Sequence, residues 1–136
     1  MSAWDPYVDQ IISYGQGSCD QACFIGLDGT PYTPNNDHLP HIISIENLES
    51  MNIAMNVSTG DDSFFHQNGV VVAGVKYEFK GSDDGSYYAT NNGQGALVFQ
   101  KTKTAIALAH NKEGGIMTDT IQAVAKMCEY LENCGY

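Results

Sequence analysis

Apolar residues recur at helical spacing at both ends of the chain. Near the start, this spacing predicts a helix over residues 3–14, which Gly15 and Gly17 end. Near the end, it predicts a helix from about Thr118 to Glu132, capped by Thr118 or Asp119 and packed on a sheet. The two apolar stripes consist of Trp4, Tyr7, Val8, Ile11 and Ile12, and of Ile121, Val124, Ala125, Cys128 and Leu131.

Between these helices, short apolar runs alternate with turn residues. "QACFIGL" (21–27) predicts a strand, "DGT" a turn, and "PYT" the return strand of a hairpin. From 63 to 109, glycine, asparagine and aspartate separate six runs that predict a meander of antiparallel strands. These runs are "SFFHQ", "VVVAG", "VKYEFK", "SYYAT", "GALVFQK" and "TAIALAH". The economical architecture is a central antiparallel sheet with helices on its faces, an α/β chain of the α+β type.

A further helix is predicted over residues 44–56, with Ser44 as its cap. Its apolar residues at helical spacing are Ile45, Leu48, Met51 and Met55.

Charge is distributed unevenly along the 136 residues, which we expect to form a single domain over 1–136. The net charge is −10, there is no arginine, and all six lysines follow residue 75, whereas nine acidic residues precede it. This balance argues against general nucleic-acid binding and against strong attraction to anionic membranes. If the lysines converge on one face, that face could bind an acidic partner; otherwise they solvate strand edges and turns.

The sequence lacks the motifs of the common catalytic classes. Its adjacent carboxylates, at 61–62 and 83–84, lie in turn contexts, and "NNGQG" lacks the lysine and hydroxyl residue of a phosphate-binding loop. We therefore expect a binding protein and not an enzyme, with no cofactor and no metal ion. The alternative is a small hydrolase that uses these carboxylates or the histidines.

The four cysteines are expected to be free thiols, as is usual in the cytosol, and a redox-sensitive pair is the alternative. No basic n-region precedes an apolar core at the start, and no apolar run approaches the ~20 residues that span a bilayer. These features predict a cytoplasmic location.

Aromatic residues stand at both ends of the chain. Trp4 is the only tryptophan, and the sequence closes on Tyr136. At ~100° per residue, Tyr130 points away from the apolar stripe of the last helix, in line with Ala123, Met127 and Cys134. These aromatics predict a binding surface, although Trp4 and Tyr7 could instead extend the core stripe of the first helix.

Five segments in order resemble those of profilins: "AWDPYVD", "ACFIGLDGTPYT", "AGVKYEF", "KTKTAIALAH" and "MCEYLENCGY". They cover nearly the whole chain. The resemblance implies that the two terminal helices lie on one face of the sheet and a shorter helix on the other. It also implies a monomer that associates with the cytoskeleton and binds monomeric actin and proline-rich proteins such as formins.

In profilins, aromatics from both terminal helices line a groove for polyproline, whose extended helix has unpaired carbonyls. The resemblance places the corresponding residues at Trp4, Tyr7, Tyr32, Tyr130 and Tyr136. Tyr32 stands where the family has a second tryptophan, which implies a groove with altered affinity.

The resemblance also implies an actin-binding face in the second half of the chain. Its residues are Lys76, Glu78, Lys80, Gly115, Ile116, Thr118, Gln122 and Lys126. The family's basic "KKG" turn is "NNG" here, at Asn91, Asn92 and Gly93, so we expect phosphoinositide binding to be weak or absent. The alternative function is a profilin-fold module that binds a small molecule or another protein without acting on actin.

Overall fold

The computed structural model describes residues 4–33, 41–83 and 85–136. The elements are α1 (Asp5–Tyr14), β1 (Cys19–Gly26), α2 (Asn47–Thr59), α3 (Ser63–Asn68), β2 (Val70–Val72), β3 (Val75–Asp83), β4 (Ser86–Asn91), β5 (Gly95–Lys101), β6 (Ala105–Asn111) and α4 (Met117–Asn133). The predicted terminal helices are therefore confirmed. Within the described part of the chain, no helix has the length and apolarity needed to cross a bilayer.

The strands form one antiparallel sheet in the order β1-β6-β5-β4-β3-β2. Because successive side chains point to opposite faces, the buried residues divide into two clusters. On one face, α1 and α4 pack over β1, β5 and β6. On the other face, α2 and α3 cover the second cluster. This arrangement confirms the predicted fold class.

Two of the strands predicted from short apolar runs are not strands. "SFFHQ" forms the helix α3, in which Phe65 is the buried residue. The main-chain N–H of His66 donates to the carbonyl of Asp62, four residues back, at 3.1 Å, as in an α-helix. "PYT" forms only an isolated bridge between Ile25 and Pro31. Proline has no N–H to donate to a ladder, so the hairpin does not extend.

Helix α2 begins later than predicted, and most of the apolar residues whose spacing predicted it are exposed. Glu46 is its N-cap, not Ser44, and forms a reciprocal capping box with Glu49. The exposed fractions of these apolar residues are 70% for Leu48, 49% for Met51 and 60% for Met55. Its buried residues are Ser50, Ile53, Ala54 and Val57.

The rotation of α2 is fixed by polar contacts. The carboxylate of Glu49 accepts the main-chain N–H groups of Ala73 and Gly74 in the β2–β3 turn, at 2.8 and 2.9 Å. The hydroxyl of Ser50 donates to the carbonyl of Gly29, at 2.7 Å. These contacts hold the side of the helix with Glu49 and Ser50 toward the rest of the protein. The side that carries Leu48 therefore faces solvent.

Helix α4 also differs from the prediction in its cap and in its buried side. Its N-cap is Ile116, and neither Thr118 nor Asp119 caps it. Ala125 is exposed, whereas Ala123 and Met127, expected on the opposite side, are fully buried. The buried stripe is Thr120, Ala123, Val124, Met127, Cys128 and Leu131. Tyr130 therefore lies at the margin of this stripe, where it can reach α1.

Candidate functional site

Trp4 lies at the centre of a cluster of aromatic rings. The ring of Tyr32 stacks on it, with centroids 5.1 Å apart and planes 22° apart. Tyr7 and Tyr136 meet it edge to face, each with a centroid distance of 5.4 Å. Tyr130 joins through Tyr7, at 6.0 Å. The structure therefore brings together all five residues predicted for proline binding, and we call them the aromatic cluster.

The aromatic cluster is built by the contact between α1 and α4. Trp4 and Tyr7 are half-buried, and both pack against Phe24 of β1, with ring centroids 5.2 and 6.3 Å away. Tyr130 and Tyr136 are 45% and 42% exposed. Trp4 and Tyr7 can therefore extend the core stripe of the first helix and also form part of a binding surface. Each ring has one side on the core and is still partly open to solvent.

The outer phenol of the cluster, Tyr130, is protonated at neutral pH, as an ordinary tyrosine is. A hydrogen bond with the Cys134 side chain, followed by the charge interactions of Cys134 and Tyr7, raises the pKa of Tyr130 further. Its hydroxyl can donate a hydrogen bond to a carbonyl of a bound segment.

Two supports of the cluster were not predicted from the sequence. A Cβ on Gly26 would lie 2.6 Å from the hydroxyl oxygen of Tyr32, so glycine leaves the space that the phenol occupies. The main-chain oxygen of Tyr136 accepts hydrogen bonds from the hydroxyl of Thr102 and from the N–H and hydroxyl of Thr104, at 2.8 to 3.0 Å. The β5–β6 turn thereby fixes the position of Tyr136.

A second candidate surface lies on the part of the sheet that α1 and α4 leave uncovered. Tyr77 and Phe79 of β3 are buried against α2 and α3, so Lys76, Glu78 and Lys80 point to the opposite face and are exposed. The ammonium of Lys80 lies 3.3 Å from the Glu78 carboxylate. We call these three residues, with the turn before α4, the charged surface.

An open groove of about 500 Å³ joins these strand residues to the turn before α4. Its lining includes Glu78, Lys80, Asn92, Lys112 and Gly115. Lys76 lines an adjoining groove together with His66 and Asn92. The structure thus places the strand residues and the turn residues predicted for actin binding on one continuous surface.

The turn before α4 is held by residues that the sequence did not single out. The hydroxyl of Ser18 accepts the N–H of Ile116 at 2.8 Å and donates to the Asp119 carboxylate at 3.3 Å. The hydroxyl of Thr120 donates to the side-chain oxygen of Asn111, at 2.7 Å. The contacts of Ser18 join residues 98 and 101 positions apart, so spacing alone gave no signal for them.

The remaining predicted actin-binding residues lie along α4. Ile116 is 62% exposed, and Thr118 and Gln122 are exposed as well. The ammonium of Lys126 lies 4.5 Å from the ring centroid of Tyr14 in α1. Lys126 therefore packs toward the first helix, at the far margin of the charged surface.

Most of the cysteines are buried, and the adjacent carboxylates at 61–62 are paired with neighbouring groups. All four cysteines are free thiols, and only Cys134 is exposed. The hydroxyl of Ser63 and then its main-chain N–H, at 3.0 Å, hydrogen-bond the Asp61 carboxylate and lower the pKa of this group. The Asp62 carboxylate lies 3.3 Å from the ring of His66. These two carboxylates thus support the start of α3.

Comparison with known proteins agrees with the motif order. The family model described as Profilin matches residues 2–136. A profilin of Heliocidaris crassispina is 39% identical over 140 residues, which cover 98% of this chain and 99% of the relative. A profilin of Clypeaster japonicus is 36% identical over 140 residues, with the same coverage.

Solved structures have the same fold. Acanthamoeba castellanii profilin II matches with a TM-score of 0.82 and 25% identity, over 98% of this chain and 100% of that chain. Mouse profilin IIa, solved with a double repeat from the FH1 domain of mDia1, matches with a TM-score of 0.71 and 19% identity, over 99% of this chain and 100% of that chain. LokiProfilin2, solved with rabbit actin, matches with a TM-score of 0.71 and 16% identity, over 98% of both chains.

The family model and the curated relatives each extend over nearly the whole sequence, and the fold places the motif residues on the two surfaces described above. This chain belongs to the profilin family.

Proposed function

We propose that this chain binds monomeric actin and proline-rich segments, such as those of formins, and so regulates filament assembly. It is a binding protein that acts in the cytoplasm in association with the cytoskeleton. The observation that carries the proposal is the aromatic cluster, in which rings from both ends of the chain meet around Trp4. Family membership supports it.

The aromatic cluster suits a polyproline helix for physical reasons. This helix is extended before binding, so little conformational entropy is lost, and its carbonyls have no internal partners. Flat rings contact the faces of the pyrrolidine rings, while phenol hydroxyls donate to the carbonyls. Tyr130 and Tyr136 are each more than 40% exposed, so they can offer both contacts.

The charged surface suits a partner with its own charged side chains. Lys76, Lys80 and Lys112 line its two grooves, while the first part of the chain contains no lysine. Electrostatic attraction therefore favours approach in one orientation. The aromatic cluster and the charged surface share no residue, so both partners can bind together.

Chromatography on poly-L-proline resin tests the first activity. The wild-type chain should bind the resin and elute with free proline or denaturant. Trp4→Ala and deletion of Tyr136 should each reduce retention strongly, because each removes a ring of the cluster and each stacking contact is worth on the order of 1 kcal/mol, or about fivefold in affinity. Phe64→Ala is the control, because it removes an exposed ring from α3 on the other face of the sheet. Retention of Trp4→Ala equal to wild type would show that the cluster is not the proline site.

Actin sequestration tests the second activity. Adding the protein to monomeric actin should lower the amount of filament in proportion to its concentration. The Trp4→Ala variant should sequester actin as well as the wild type does. Failure of the wild-type chain to sequester actin, with resin binding intact, would instead support a profilin-fold module without actin activity.

A further inference from the structure

A third groove lies away from both surfaces, between α2, α3 and the edge strand β2. Its volume is about 360 Å³, within the range of small binding sites. The exposed apolar side chains of its lining are Leu48, by 70%, and Phe64, by 37%. Val71 of β2 lines it with its main chain, because its side chain points to the face opposite the buried Val70 and Val72. We call it the edge groove. Single exposed apolar residues are ordinary, but two beside an open strand edge mark an interaction surface.

The edge groove includes an open strand edge. β2 is the outermost strand, and its turn with β3 consists of Ala73 and Gly74, both with positive φ, as in a type I′ hairpin. In such a hairpin the pair next to the turn, here Val72 and Val75, exchanges main-chain hydrogen bonds. Further from the turn, pairs without these hydrogen bonds alternate with pairs that have them. Val71 is in the next, non-bonded pair, so its N–H and C=O point away from β3 toward the groove.

The charged side chains that line the edge groove are acidic. They belong to Glu46 and Glu49, and the Glu49 carboxylate already accepts the N–H groups of the β2–β3 turn. Lys76 lies close to Gly69 and pairs with Val71 across the two strands, but it lines the neighbouring groove. A partner that enters from the side of α2 therefore meets acidic side chains around an apolar floor.

We propose that the edge groove binds an extended segment of a partner protein, with β-branched or leucine side chains flanked by lysine or arginine. The segment adds a short strand to β2 through the N–H and C=O of Val71. Its apolar side chains contact Leu48 and Phe64, and its basic flanks face the carboxylates of Glu46 and Glu49. Because β2 has only three residues, side-chain contacts supply most of the affinity.

A designed peptide tests this binding directly. The probe is acetylated Lys-Lys-Val-Thr-Val-Thr-Val-Lys-Lys, and the control replaces every lysine with glutamate. Titrated into isotope-labelled protein, the lysine peptide should shift the amide signals of Leu48, Phe64 and Val71 and leave those of Tyr7 and Tyr130 unchanged. Absence of shifts, shifts in the aromatic cluster, or equal binding of the glutamate peptide would overturn the proposal.

Two variants separate the strand edge from the apolar contacts. Val71→Pro removes the outward N–H without removing a bond to β3, as proline does on edge strands, and should weaken peptide binding about tenfold. Leu48→Ser should weaken it comparably and does not alter the sheet. Met55→Ser, exposed on the same helix outside the groove, is the matched control and should bind as wild type.

Unchanged peptide binding by both Val71→Pro and Leu48→Ser would refute the proposal. So would a concentration-dependent dimer that Val71→Pro abolishes, because the strand edge would then serve a second copy of this chain. Resin and actin binding should be the same as wild type for Leu48→Ser and Met55→Ser, since both residues lie on α2, away from the aromatic cluster and the charged surface. Val71→Pro is compared in resin binding only, because Val71 pairs with Lys76 of the charged surface.

Discussion

The Tyr32 ring stacks on Trp4 directly above Gly26 of β1. The main-chain N–H of Tyr32 donates to the carbonyl of Phe24 at 2.8 Å, which fixes where the phenol leaves the backbone. A methyl group at Gly26 would meet the phenol oxygen at 2.6 Å and its ring carbon at 2.8 Å. The stacking of Tyr32 on Trp4 therefore depends on glycine at this position.

Replacing this glycine should weaken proline binding without a mutation in the cluster itself. Gly26→Ala displaces the Tyr32 ring, and the loss of about 1 kcal/mol of stacking corresponds to about fivefold weaker binding of a proline peptide. Trp4 fluorescence during titration measures the affinity. The double variant with Tyr32→Ala should bind like Tyr32→Ala alone, and additive losses would show that Gly26 acts by another route.

Charge reversal on the charged surface should weaken actin binding and leave proline binding intact. Lys80→Glu loses only an exposed pair with Glu78, which contributes at most about 1 kcal/mol to stability, so the fold should persist. We expect slower association with actin, by about tenfold at low salt, and a smaller difference at high salt.

Lys103→Glu is the matched control for this experiment. It makes the same change in net charge but lies in the β5–β6 turn, next to the hydrogen bonds that hold Tyr136 and away from the turn before α4. If both variants slow association equally, net charge rather than the charged surface controls actin binding. Equal loss of actin and proline binding in either variant would indicate misfolding.

Buried thiols should make the protein less stable in alkali. Burial, with Glu132 as a smaller cause, raises the pKa of Cys128 from 9.0 to about 12, and burial also raises that of Cys23. The unfolded thiols ionise at lower pH than the folded ones. Their contribution to stability is therefore complete below about pH 9 and is lost as the pH rises toward 12.

The unfolding temperature measured from pH 7 upward checks this sign. The free energy of unfolding should fall by up to about 1.4 kcal/mol per pH unit for each ionising thiol. Cys128→Ala should reduce the slope, although it also lowers stability at neutral pH by leaving a small cavity. A profile that stays flat above pH 9 would contradict the prediction.

Phosphoinositide binding should be weak in this chain and should increase when the β4–β5 turn is made basic. Asn92 is exposed there, whereas the side chain of Asn91 donates to the carbonyl of Lys76 at 2.8 Å. Asn92→Lys therefore adds a cation at no structural cost, and each cation near an anionic membrane contributes roughly 1 kcal/mol. Asn91→Lys with Asn92→Lys should add more charge but lose this hydrogen bond.

Co-sedimentation with phosphoinositide vesicles at two salt concentrations measures the effect. Asn92→Lys should sediment more than wild type at low salt, and high salt should remove the difference because screening acts within ~8 Å at physiological ionic strength. Asn92→Gln controls for the longer side chain. Strong sedimentation of the wild-type chain would mean that net charge and the missing turn lysines do not control lipid binding.

The sequence by itself determined which segments form most elements and which family the chain resembles. Both terminal helices follow from helical periodicity, and the strands from β3 to β6 follow from short apolar runs separated by turn residues. Trp4, Tyr7, Tyr32, Tyr130 and Tyr136 were identified from motifs, and the structure brings them together.

Only the tertiary structure decided which side of each apolar helix is buried. In α2, Leu48, Met51 and Met55 have helical spacing, but so do Ile53, Ala54 and Val57, and polar contacts of Glu49 and Ser50 with distant backbone turn the second set inward. In α4, Met127 is buried and Ala125 is not, because α1 and the sheet both contact this helix. Periodicity reveals that apolar faces exist, and where one helix has two of them, long-range contacts select the one that packs.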